Sequence, residues 1–209
     1  MQKTFLFIFI SFLYSCGSTE TPKLLPEDSI PVIYTQKNIY QVKEIGWTVH
    51  VPAGWEIIPQ DNINFILNNR NRLYKYALDI NTNSEQDDLL FIRKKTGFSF
   101  YAKMKPYDLS VHGNYDDYII KFHNSIKSHH QVNNIRADYE LGAMRIGGIM
   151  FDRFTVKIFT PGIDSIDVRQ TYFMALINGI DFGMTITCKD EVEEEALLNI
   201  ITSSAFTSH

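Results

Sequence analysis

Cysteine is almost absent from this chain, in which only Cys16 and Cys188 occur. Two cysteines cannot form a framework of internal disulfides. If Cys16 is modified, as the segment around it suggests below, Cys188 has no partner within the chain. The fold then depends on its hydrophobic core. Cys188 follows the apolar run 182–187, so we expect it to be a small packing residue at the end of a strand rather than a reactive thiol.

An excess of basic residues is also lacking. The chain carries 20 Lys and Arg against 24 Asp and Glu, which gives a net charge of −4. Proteins that bind nucleic acid need clustered positive charge to displace the counterions of the phosphate backbone. The charge balance therefore argues against nucleic acid as a partner.

The apolar run near the start of the sequence, 4–13, is too short to cross a membrane. It has about half of the roughly 20 residues that a hydrocarbon core requires. Lys3 precedes this run, an arrangement typical of a secretory signal peptide. Cys16, at the expected cleavage position, resembles the cysteine of the lipobox in bacterial lipoproteins. That resemblance implies that Cys16 becomes acylated, with palmitate for example, and forms the mature N-terminus.

The sequence predicts three segments. Residues 1–15 form the lipoprotein signal peptide, and residues 16–39 hold the lipidated cysteine and a flexible tether. The part of the tether at 17–31 carries three prolines among mostly small and polar residues, a composition that cannot bury enough apolar surface to fold. Residues 40–209 form a single domain. We expect the protein to lie in the cell envelope, anchored by lipid to a bacterial membrane, the outer membrane in particular.

Hydrophobic periodicity predicts strands and helices in alternation along this domain. Consecutive antiparallel strands interrupted by helices indicate an α+β fold, with a central antiparallel sheet packed between helices as an α/β/α sandwich. The predicted elements are a strand and turn at 45–55, a helix within 62–80, a hairpin at 89–104, a helix at 115–130 capped by Asn114, strands at 135–145 and 148–159 with a turn near Gly147-Gly148, a hairpin at 168–187 across Asn178-Gly179, and a helix that Asp190 begins.

Two stretches carry a family resemblance. The opening Gly-Trp-Thr-Val-His-Val-Pro-Ala-Gly-Trp at 46–55 resembles the first strand and turn of the PsbP-like superfamily. The closing hairpin at 170–187, with the Ser-Ala-Phe at 204–206, is similar to the end of that family's domain. The resemblance implies a PsbP-like fold over roughly 40–206. Because the superfamily includes photosystem II accessory proteins and Ran-binding proteins, it also implies a binding or assembly module.

A shorter likeness points to a group of bacterial proteins. Leu-Phe-Ile at 90–92 and Lys-Pro-Tyr-Asp at 105–108 are similar to segments of lipoproteins from Bacteroidetes-type bacteria. This likeness agrees with the expected lipid anchor.

The histidines lack the spacing of a metal site. His123 and His130 are seven positions apart on the predicted helix, whereas chelation from one helix uses an i, i+4 pair. The G-x-S-x-G motif of serine hydrolases does not occur in the sequence. We therefore predict no catalytic, cofactor or metal site. An envelope hydrolase assembled from distant residues such as His112, Asp117 and His123 stays open as an alternative.

Three aromatic side chains are candidates for a binding surface. Trp47 and Trp55 flank the first predicted turn, where packing beneath the turn is the expected role and a ligand platform is the alternative. Tyr101 falls on the predicted polar face of its strand, so an exposed groove there would make it part of a binding surface.

The expected anchor, the tether and the missing catalytic motifs predict a non-catalytic binding or assembly module of the cell envelope. Its partners would be the membrane, through the lipid, and an envelope protein or a small ligand. A small-molecule or lipid carrier that uses a cleft between sheet and helix is the alternative.

Overall fold

The computed structural model describes residues 33–35, 38–59, 87–94 and 97–207. The predicted signal peptide, Cys16 and the helix predicted within 62–80 lie outside these residues. The described chain forms eleven strands, three α-helices and one 3₁₀ turn at Lys43–Ile45. The strands are β1 (Ile33–Thr35), β2 (Ile39–Val42), β3 (Trp47–His50), β4 (Glu56–Ile58), β5 (Asp87–Arg93), β6 (Ser99–Pro106), β7 (Ala137–Ile146), β8 (Ile149–Phe159), β9 (Ile166–Ile177), β10 (Ile180–Cys188) and β11 (Ala205–Phe206), and the helices are α1 (Leu109–His112), α2 (Tyr115–Val132) and α3 (Glu191–Thr202).

These strands form two antiparallel sheets. The large sheet has seven strands in the order β4-β5-β6-β10-β9-β8-β7, and the small sheet has four in the order β1-β2-β3-β11. The large sheet contains all three predicted hairpins, because β5 pairs with β6, β7 with β8, and β9 with β10. In the small sheet, β1 lies within the segment predicted as tether and pairs with β2.

Two tight turns fix the register of the hairpins. Asn178 and Gly179 both have positive φ, at 51° and 78°, between the paired residues Ile177 and Ile180. Gly147 and Gly148 do the same, with φ of 54° and 89°. A two-residue hairpin turn of type I′ requires positive φ at both central positions. Both predicted turns are therefore confirmed.

Side-chain caps begin the two long helices where the sequence predicts them. The Asn114 side chain accepts a hydrogen bond from the backbone N–H of Asp116 at 2.7 Å. At α3, the Asp190 side chain accepts from the N–H of Glu193 at 2.9 Å, and the Glu193 carboxylate accepts from the N–H of Lys189. Each cap satisfies a backbone donor that the helix leaves unpaired.

The large sheet is covered on both faces. Neighbouring residues of a strand point to opposite faces, and on β10 Asp181 contacts α2, whereas the ring of Phe182 lies 5.0 Å from that of Trp47 in the small sheet. Helix α3 packs beside the small sheet, against β10 and β3. The α+β class with antiparallel sheets is confirmed. The fold contains more strand than the predicted α/β/α sandwich, because a small sheet takes the place of helix over part of one face.

The central strand β6 is buried on both faces, which differs from the sequence prediction. Phe100 and Ala102 are fully buried, as expected, but Ser99 and Tyr101 on the opposite face are also buried, and Tyr101 is only 4% exposed. The prediction of a polar face at Tyr101 is wrong, and the exposure on which its binding role depended is not found at this residue. The strand lies between β5 and β10, and the ring of Phe91 packs edge-on against Tyr101.

Candidate functional site

The three aromatic residues predicted for a binding surface do not come together. Trp47 is buried, with its ring against Tyr40 and Phe182, and Tyr101 is buried on the opposite face of the large sheet. Trp55 is half-buried: its ring packs edge-on against Phe98 at 5.1 Å, and Lys94 Nζ lies over the ring at 5.5 Å. Of the three, Trp55 alone has a partly exposed ring.

A groove lies instead between the first half of α2 and strands β7, β8 and β9. Its volume is about 640 Å³, within the range of roughly 300–1,000 Å³ that is usual for ligand sites. The helix forms one wall and the three strands form the floor. The lining residues are Tyr115, Asp116, Ile119, Ile120, His123, Leu141, Gly142, Ala143, Met150, Phe151, Asp152, Met174, Ala175 and Leu176.

Large apolar side chains are exposed around this groove. Leu141 is 64% exposed, Ile120 55%, Met150 52% and Leu176 37%. They come from four different elements, so no single amphipathic pattern in the sequence reveals them. Ile120 is the one of these residues that the sequence could have indicated as exposed, because it lies outside the apolar stripe of its helix. A cluster of exposed apolar side chains at a concave surface is typical of an interaction site.

One polar pair lies in the groove among these apolar side chains. His123 Nε2 donates to Asp152 Oδ2 at 2.9 Å, which joins α2 to β8. His123 is buried and its ring stacks on Phe154, with centroids 4.3 Å apart. Asp152 is partly exposed, so its carboxylate is available at the groove surface. Sequence reasoning misses this pair because its members lie on separate elements.

The wall of the groove is held in place by a buried carboxylate. Tyr115 and Tyr118, in the first turn of α2, donate to the two oxygens of Asp181 at 2.7 and 3.0 Å. Lys105 Nζ lies 3.8 Å from the same carboxylate. Burial, reinforced by the negative charge of Asp181, raises the pKa of both tyrosine hydroxyls. They therefore remain protonated donors, and α2 stays fixed to β10.

The residues of the predicted hydrolase alternative do not assemble. His123 pairs with Asp152, whereas the ring of His112 packs on Tyr107 at 5.3 Å. No hydrogen bond or ion pair between described residues joins either histidine to Asp117. None of the described side chains that line the groove is Ser, Thr or Cys, so the His123–Asp152 pair has no Ser or Thr hydroxyl and no Cys thiol there to activate.

Cys188 has the structural role that the sequence predicts. It is buried at the end of β10, where its Sγ lies 3.7 Å from the carbonyl oxygen of Arg169. Burial raises the pKa of its thiol to about 12. The thiolate, which is the reactive form, is therefore not populated at neutral pH.

Two further properties concern the described part of the chain. It holds no group of three or more His, Cys, Asp and Glu side chains arranged to bind a metal ion. Its helices include none with the length and apolar character needed to cross a membrane.

Comparison with known proteins gives a likeness of fold only. No family model matches the sequence, and no curated protein matches it. The chain is similar to the solution structure of cyanobacterial PsbP (CyanoP) from Synechocystis sp. PCC 6803, with a TM-score of 0.49 and 10% sequence identity over 89% of this chain and 99% of that chain.

Proposed function

We propose that this chain is a non-catalytic binding module of the cell envelope, anchored to a bacterial membrane by lipid on Cys16, and that it binds its partner in the groove between α2 and β7–β9. The observation that carries the proposal is the set of four exposed apolar side chains around a concave surface, namely Ile120, Leu141, Met150 and Leu176. Burying such side chains against a partner releases water and favours association.

The groove is built to keep its shape. Its helical wall is fixed to β10 by Tyr115, Tyr118 and Asp181, and to β8 by His123 and Asp152. A site that is already formed loses little conformational entropy when it binds. The polar pair also offers one charged acceptor among apolar walls, the pattern by which many binding sites orient a ligand.

A carrier for a small apolar molecule is the second candidate, and the volume of the groove favours it. About 640 Å³ is enough for a ligand of drug-like size. A protein partner is favoured by the openness of the site, because Leu141 and Met150 are more than half exposed. A hydrolase of the serine or cysteine type has less support, since the described lining residues include no Ser, Thr or Cys.

The envelope location rests on the sequence. The short apolar run, the cysteine that follows it and the proline-containing tether support an acylated N-terminus, and the likeness to lipoproteins of Bacteroidetes-type bacteria agrees with it. Stable anchoring needs two or more acyl chains, because one chain gives only marginal membrane binding.

A photo-crosslinking amino acid at position 120 tests the groove in cells that make the full chain. Ile120 lines the groove, whereas the matched control Val192 is an exposed apolar residue on α3 that does not. We expect a discrete adduct from position 120 and none from position 192. The mass of the adduct separates a protein partner from a small molecule. Equal labelling from both positions, or none from position 120, would contradict the proposal.

A charge in the groove provides a second test. Met150→Asp places a carboxylate among the apolar lining residues, so we expect the adduct from position 120 to decrease at least tenfold. Val192→Asp adds the same charge elsewhere and is expected to leave the adduct unchanged. Circular dichroism of both variants establishes that the fold is retained.

A further inference from the structure

We propose that β7 pairs with β7 of a second copy of this chain, antiparallel and about a two-fold axis, so that the two large sheets join into one continuous sheet. This inference concerns the edge of the sheet and does not depend on which molecule the groove binds.

Strand β7 is a long and regular edge of the large sheet. It has ten residues and lies at the end of the large sheet, where β8 is its one neighbour among the described strands. Its pairing with β8 runs without a bulge from Ala137 to Ile146, and it contains neither proline nor lysine. Monomeric proteins normally protect exposed edges with those residues, with other charges, with bulges or with short strands, and of these β7 has only the charges of Asp138, Glu140 and Arg145. An edge of this kind is suited to pairing with another strand.

The turn after β7 determines which backbone groups face outward. Ile146 and Ile149 flank the two-residue turn, and in a hairpin of this type that closing pair is hydrogen-bonded. The backbone groups of every second residue then point away from β8. The N–H and C=O groups that face the open edge are therefore those of Tyr139, Leu141, Ala143 and Arg145. None of these groups bonds to another described backbone group on that side.

The sequence of β7 is compatible with itself in the antiparallel register that places Gly142 on the two-fold axis. Leu141 then faces Ala143 of the second copy, and Tyr139 faces Arg145. The remaining charges, Asp138 and Glu140, face Ile146 and Met144. No two like charges are opposed, and such opposition would destabilise the pair. An added Cβ on Gly142 would have no atom within 4 Å, so the strand can be approached closely there.

Pairing would also cover exposed apolar surface. Leu141 is the most exposed of the large apolar groove residues, and its backbone groups face the open edge. In the proposed register it packs beside Ala143 of the second copy. The groove floor would then continue onto the neighbouring strand, with Tyr139, Leu141 and Ala143 of that copy on the same face. The alternation of side chains and outward backbone groups along β7 therefore matches that of a second copy, which we take as its partner.

Sedimentation velocity of the full mature chain, in density-matched detergent, tests the association. We expect a concentration-dependent dimer, weakened at least tenfold by Ala143→Pro, which removes an outward N–H but none that bonds to β8. Leu141→Lys is expected to weaken it similarly, and Val192→Lys is the matched control with no effect. Melting curves check that each variant is folded. A chain that stays monomeric at all concentrations, or a dimer unchanged by both edge variants, would overturn the proposal.

Cysteine crosslinking tests the register. Residues on the axis of an antiparallel pair come close enough for a disulfide, so Gly142→Cys should link two copies under mild oxidation. Glu140→Cys should not, because it faces Met144. Crosslinking through position 140 but not 142 would overturn this register. A monomeric chain that still gives the groove adduct from position 120 would remove the edge pairing and leave the proposed groove function intact.

Discussion

His123 lies 2.9 Å from Asp152, and this contact is the point where helix α2 is bonded to strand β8 inside the groove. Asp152→Ala leaves the buried imidazole without its acceptor. We expect a loss of about 1–3 kcal/mol in the free energy of unfolding, measured by urea denaturation. Asp152→Asn keeps an acceptor oxygen and should lose less. Equal losses for the two variants would show that the hydrogen bond contributes little.

Asp181→Ala should destabilise the domain more. It removes the acceptor of two tyrosine hydroxyls in the first turn of α2, and hydrogen bonds to charged groups contribute about 1.5–3 kcal/mol each. Asp116→Ala, at an exposed position in the same turn, is the control, with an expected loss of about 0.3–1 kcal/mol from the helix dipole. Hydrogen exchange should show faster opening of α2 in Asp181→Ala alone.

The core prediction concerns Phe182, which is fully buried against Trp47 and Phe151. Phe182→Ala should cost about 3–5 kcal/mol of unfolding free energy. Because Tyr101 is also buried, Tyr101→Ala should lower the free energy of unfolding clearly as well. Val192→Ala, at an exposed position, should stay within about 0.5 kcal/mol. A nearly neutral Tyr101→Ala would argue against burial on both faces of β6.

Acid should weaken the fold through His130. Burial lowers the pKa of this histidine, with a smaller effect from the nearby charge of His129. The unfolded chain, with a histidine pKa of about 6.5, then takes up the proton before the folded chain does. Stability is therefore complete above that value and declines as the pH falls below it. His130→Gln should flatten the dependence of the urea midpoint between pH 7.5 and 5.

Lipid attachment is tested directly at Cys16. Metabolic labelling with a fatty acid should mark the wild-type chain and leave Cys16→Ser unlabelled, with the variant released or unprocessed. Cys188→Ser is the matched control and should keep the label. Label retained by Cys16→Ser would contradict the lipoprotein assignment.

Local signals in the sequence predicted much of the fold. The turns at Asn178-Gly179 and Gly147-Gly148 and the cap at Asn114 depend on residues next to each other in the chain, so their chemistry is visible without a structure. Burial on both faces of β6 is not visible in this way. Alternation of apolar and polar residues along a strand indicates one buried face and does not reveal burial of the other.

The candidate site was not predicted for a related reason. The sequence gives no partner for His123, since its acceptor Asp152 lies on a strand 29 positions away. The exposed apolar residues are single positions on four elements, and each one alone is unremarkable. Because tertiary contacts assemble the site, each segment of the sequence contains only one or a few of its residues and shows no pattern of its own.

The small sheet has a consequence for the order in which the chain folds. Strand β11 completes that sheet by pairing with β3, and Thr207 hydrogen-bonds Gly46 across 161 positions. This closure has to wait until two segments far apart in the chain have met. Contacts of such long sequence separation slow folding. The indole of Trp47 therefore reports a late step, and its fluorescence change should lag behind formation of the β9–β10 hairpin.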